Sequence, residues 1–159
     1  MGNFKLGKRS LANLNTCHPD LQLIVHTAIK YSQVDFTIIE GARTAERQQE
    51  LFDKGKSKVN PKKYTPEVLI TKGKHIVNEH RKLSMAFDFI VAVKGKKKLA
   101  YDQTHMMYLV GVFTAIGEML YAQKKISHRV HSAANWDRYD ESQYDQTLFD
   151  LVREKSIGK

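Results

Sequence analysis

The chain has 159 residues, enough for one domain around one core, and its 42% apolar content excludes a disordered polymer. Its formal charge of +9, from 26 Lys+Arg against 17 Asp+Glu, favours acidic or polyanionic partners. No apolar run reaches the roughly eighteen residues of a membrane span, and MGNFKLGKRSLANL lacks the apolar stretch of a signal peptide, so neither is expected.

Cys17 is the one cysteine; it has no internal disulfide partner, fits a reducing compartment and reads as a small buried hydrophobe. From Pro19 to Ser32, Leu21, Ile24, Val25, Ala28 and Ile29 fall at the spacing of an amphipathic helix, with Pro19 in its first turn. Asp35–Glu40 (DFTIIE) predicts a strand, and Gly41 a turn. Thr44 caps a helix to about Lys54, with Glu46 in its first turn and Gly55 as the stop. Residues 55–71, with Gly55, Pro61 and Pro66 among lysines, read as a long loop. Leu83–Val93 is a buried strand, Lys94–Lys98 a turn, and Lys98–Tyr101 a segment that pairs back. Asp102 caps the longest helix, Thr104–Ala122, through Met106, Leu109, Val110, Phe113, Ile116 and Leu120. Ser127–Ala133 reads as a last strand, and the tail from Trp136 carries a weak helical stripe through Tyr144, Leu148, Leu151 and Val152. The class is α+β, a small antiparallel sheet flanked by helices. Lysine runs at 54–63, 72–82 and 94–98 come without a recognition helix or stacking aromatics, so nucleic acid is the weakest partner on offer.

Several runs carry a resemblance. FKLGKRSLANL, HPDLQLIVHTAI and DFTIIEGARTAERQQELFDKG resemble the N-terminal half of the VanY-like endolysins, the phage L-alanyl-D-glutamate and D-alanyl-D-alanine metallopeptidases. The likeness continues in order at LSMAFDFI, DQTHMMYLVGVF, AANWD and DQTLFDL. It implies one peptidase-like domain over residues 1–159 with the hedgehog/D-Ala-D-Ala-peptidase fold. It also implies one zinc held by two histidines and an aspartate, with a fourth position for water and a carboxylate base near the last histidine.

Asp88, in Ala86-Phe87-Asp88, takes the place of the aspartate. The first histidine is His80 or His75. His80 has nearly the family's spacing to Asp88 and is slightly preferred; His75 lies thirteen residues before Asp88 and needs a loop insertion. The family's last zinc histidine sits in an Asp-Leu-Pro-His-x-Glu-like segment. Against Phe149-Asp150-Leu151-Val152-Arg153-Glu154-Lys155, that puts Arg153 in the histidine's place and Lys155 in the acid's. A guanidinium has no lone pair for a metal. An ion pair between Arg153 and Asp88 is therefore expected, with His128 or His131 as alternative third ligands. His18, His26 and His105 read as structural. Arg43 and Gln48 border the cleft of the family, where Arg43 either clamps a stem-peptide carboxylate or orients its own loop.

The expectation is a non-catalytic relative of a phage peptidoglycan peptidase, a cell-wall-binding or accessory virion protein with no bound cofactor. Peptidoglycan or phage structural proteins are its partners, and the phage particle or the host cytoplasm its location. The alternative is an active zinc endopeptidase with an unusual third ligand.

Overall fold

A computed structural model describes residues 4–132 and the strand 148–153. Five helices flank a four-stranded sheet: α1 (Lys8–Leu14), α2 (Pro19–Tyr31), β1 (Phe36–Glu40), α3 (Ala45–Asp53), α4 (Pro66–Lys72), β2 (Ala86–Val91), α5 (Gln103–Ala122), β3 (His128–Ser132) and β4 (Leu148–Arg153). The sheet order is β1-β2-β4-β3 and every pairing is antiparallel.

The caps explain the helix starts. Asp102 accepts the amide of His105 at α5, and Thr44 accepts that of Arg47 at α3. Pro19 sits in the first turn of α2, where His18 Nδ1 accepts the amide of Asp20. The apolar stripe of α2 packs against α5, and α5 packs in turn against β3 and β2 of the sheet. Phe113, at the centre of the core, meets Phe36, Phe87 and Phe89 edge-on. Helix α5 has the length and apolarity of a membrane span, yet seven of its residues, from Met106 to Leu120, are buried inside the domain.

Three expectations change. Residues 55–71 are not one irregular loop, because Pro61–Lys63 forms a 3-10 turn and α4 follows, each with proline in its first turn. The strand through Asp88 is shorter than 83–93, running Ala86–Val91, because Ser84 instead bonds back to the residue 16–18 turn. The helical stripe in the tail resolves, over its last six described residues, into β4. A six-residue run with a partner strand on each side satisfies its backbone better than an isolated short helix would. Lys98–Tyr101 does pair back in part, since Ala100 accepts the amide of Val91.

Candidate functional site

Asp88 sits in the middle of β2, with its Cα paired to Glu40 on one side and to Leu148 on the other. The register shift between Ile38 and Glu40 is what brings Glu40 level with it. Beyond β1, the segment after Gly41 pairs in parallel with residues around Ile76. Arg43 donates its amide to His75 O at 2.8 Å, and Val77 donates to Arg43 O at 3.0 Å. On its other side the same segment is held by Met85 N to Lys74 O at 2.8 Å. His75 is thereby wedged between two strands' ends and is 5% exposed.

Its ring is oriented from behind. Nδ1 lies 2.7 Å from the Gly41 carbonyl, which can only accept, so Nδ1 donates to it and Nε2 is the nitrogen that faces the cluster. Nε2 is buried, has no hydrogen-bond partner among the described residues, and lies 3.3 Å from Asp88 Oδ1. A histidine whose rear nitrogen is fixed by a carbonyl while its front nitrogen is left open has the arrangement of a metal ligand. Gly41 is also tightly packed, because a Cβ there would collide with the Asn13 carbonyl oxygen and Thr16 Oγ1. Gly41→Ala is expected to cost about 1–3 kcal/mol and to lower the melting temperature by several degrees. Thermal unfolding followed by circular dichroism checks this, and an unchanged midpoint contradicts it.

Arg43 anchors the rest of the cluster. Its Nε and Nη2 donate to the two oxygens of Glu40 at 3.2 and 2.7 Å, and Nη1 donates to Gln48 Oε1 at 3.1 Å. Nη2 also lies 3.6 Å from Asp88 Oδ2. Gln48, buried in α3, passes the contact on by donating to Ser57 Oγ and Val59 O. Burial alone would push the Glu40 carboxyl up, but the hydrogen bonds and charge of Arg43, with His75 and Arg47, hold it below the ordinary glutamate range. Burial pushes the Cys17 thiol up to about 12, so it is no nucleophile at neutral pH.

Of the two histidines offered by the sequence, the structure brings His75 to Asp88 and not the preferred His80. His80 sits at the tip of a tight turn closed by reciprocal backbone bonds between Asn78 and Arg81, and it pairs with the exposed Glu67 at 3.1 Å. That turn lies between His75 and Asp88 in the chain. Arg81 fixes its base by donating to the carbonyls of Gly73 and Ile76 on either side of His75. No short motif announces this; the half-buried Arg81 was the residue that sequence reasoning missed.

The expected Arg153–Asp88 pairing is not where the backbone puts it. Arg153 is opposite His128, five residues along β4 from Leu148, about 17 Å at 3.4 Å per residue. The positive charge beside Asp88 is Arg43 instead. Nor do the alternative ligands reach this cluster: His128 is at the far end of β3, and His131 is opposite Asp150. Lys155 lies outside the described residues.

The sequence profile of the phage L-alanyl-D-glutamate peptidases matches residues 1–152. The chain belongs to this family. It is similar to the L-alanyl-D-glutamate peptidase of Escherichia phage T5, with 32% identity over 94 residues, 59% of this chain and 58% of that protein. The match thus spans a little over half the length of that peptidase. A crystal structure of the Serratia marcescens L-Ala D-Glu endopeptidase ChiX has the same fold, with TM-score 0.66, 19% identity and coverage of 94% of this chain and 90% of that one.

For the zinc implied by the resemblance to these phage peptidases, the residues fit in part. His75 Nε2 and Asp88 Oδ1 are separated by 3.3 Å, about the distance between two ligands each 2.0–2.1 Å from one tetrahedral ion. Among the described residues no third histidine, cysteine or carboxylate completes this pair. On the strand beside Asp88 the residue in register is Leu148, which has no donor atom for a metal. Among the described residues the donor set therefore stops at two, where a catalytic ion takes three protein ligands.

Proposed function

We propose that this member of the phage peptidase family binds peptidoglycan stem peptides in the ancestral cleft without hydrolysing them, as a wall-binding or accessory component acting from the phage particle or the host cytoplasm. The observation that carries the reading is Leu148 in register with Asp88. The family resemblance puts the last zinc histidine on this C-terminal segment, and β4 contains no histidine. What persists is recognition machinery. Three of the five N–H groups of Arg43 are committed to Glu40 and Gln48, which leaves its terminal nitrogens able to meet a peptide carboxylate. The +9 charge of the whole chain raises the local concentration of an anionic wall polymer.

One feature favours the second reading, an active zinc endopeptidase: His75 Nε2 is buried, unbonded and aimed beside Asp88. The two readings separate in one assay. Purified sacculi are incubated with the protein, with and without added zinc, and both cosedimentation and release of free amino groups are followed. Cosedimentation without amine release is the expected result. Amine release that a zinc chelator stops would establish the enzyme and overturn the proposal.

A further inference from the structure

A second cluster of metal-ligating side chains lies away from the cleft, where the start of α2 meets the start of β3. His18, Asp20 and His128 each offer one ligand atom, and the three atoms lie within 4.8 Å of one another. We propose that this cluster is a binding site for a divalent transition ion of the zinc type, independent of the His75–Asp88 pair.

The donor set is the first reason. Two imidazoles and one carboxylate are the ligands that zinc and its neighbours take from proteins, whereas magnesium and calcium ask for oxygen alone. Geometry is the second. The two rings meet edge to face with centroids 4.9 Å apart, both turned toward one carboxylate. Asp20 Oδ1 lies 3.8 Å from His18 Nδ1, close to the roughly 3.3 Å between neighbouring ligands of a tetrahedral ion.

The carboxylate is unevenly used. Oδ2 accepts from Ser127 N, Ser127 Oγ, His128 N and His128 Nδ1, at 2.9 to 3.2 Å. Oδ1 accepts no hydrogen bond among the described residues. The backbone bonds to Oδ2 fix the carboxylate in place and leave its other oxygen for an ion, which is how outer partners orient a ligand.

In the ion-free protein His18 Nδ1 serves as the cap of α2 by accepting the Asp20 amide at 3.1 Å. Binding through Nδ1 exchanges that cap for a metal bond; binding through Nε2 turns the ring and keeps the backbone. Either way the ion joins α2 to β3 across a sequence separation of 108 residues, as a staple between the two halves of the chain. This site shares no residue with the cleft, so its test is separate from that of the proposed function.

The test is a zinc titration of the full chain against a chromophoric chelator, on wild type, His18→Asn, His128→Asn and His75→Ala. Asparagine at position 18 keeps a capping oxygen for α2 while removing the ligand. Wild type is expected to take up one equivalent that His75→Ala retains. His18→Asn and His128→Asn should each weaken it by about 100-fold, at or beyond the 10–100-fold cost of losing a mere outer partner. Should either variant fail to fold, long-range imidazole 15N spectra of the wild type decide the matter, with the His18 and His128 resonances shifting on addition of zinc. Unaltered titrations in both folded variants, or unmoved His18 and His128 resonances in the wild type, overturn the site.

Discussion

Replacing Leu148 by histidine is expected to raise zinc affinity at the His75–Asp88 pair by on the order of 100-fold. The estimate follows from sharing the roughly 10–16 kcal/mol of a four-ligand structural zinc among its ligands, about 3 kcal/mol each, which exceeds two powers of ten. The position is chosen by register, since the Cα of Leu148 is paired with that of Asp88 on the neighbouring antiparallel strand. Residues paired in this way carry their Cβ atoms about 4.5–5.5 Å apart. His75 contributes a ring whose rear nitrogen is already held by the Gly41 carbonyl, so little reorganisation accompanies binding. Calorimetric titration of zinc into Leu148→His, with Leu148→His/His75→Ala as the control, checks the claim. A gain that survives loss of His75 would show that the new histidine binds elsewhere.

Arg43→Ala is expected to destabilise the domain by about 3 kcal/mol at neutral pH, the cost of stranding a largely buried charge. Glu40 loses both of its guanidinium bonds, Gln48 loses its acceptor role, and Asp88 loses a cation 3.6 Å away. The effect depends on pH with a definite sign. In the wild type the folded Glu40 has a depressed pKa, so its contribution is present above the unfolded value of about 4.3 and fades as pH falls through the folded value. The difference between wild type and variant should therefore shrink on acidification. Urea unfolding at pH 7 and near pH 4 measures it, and an equal difference at both pH values would remove Glu40 from the explanation.

The fold was largely legible because its signals are local. The stripes of α2 and α5, the caps at Thr44 and Asp102, and the β-rich run before Gly41 each specify their own element without help from distant residues. The tail was not, because the choice between a short helix and β4 rests on β2 and β3 offering edges on both sides. The site divides in the same way. Asp88 and Arg43 are placed by strand and turn, and the structure brings them 3.6 Å apart. The choice of His75 over His80 depends on a parallel pairing with residue 43 and on the Arg81 clamp, neither of which leaves a periodicity to read. The third position divides in the same way: the letters of the tail point to Arg153, while strand register, which letters do not encode, puts Leu148 beside Asp88.

The turn at residues 78–81 has a practical corollary. Its two ends are tied by mutual amide bonds, its neck is gripped by Arg81, and His75 is fastened independently to Gly41 and Arg43. Whatever is threaded between Asn78 and Arg81 is thus insulated from the cluster around Asp88. Doubling the length of such a segment costs only about 0.6 kcal/mol in closure entropy. The tip that carries His80 is a natural graft point, where a fluorophore-bearing peptide or an affinity epitope can be displayed while the cluster around Asp88 stays intact.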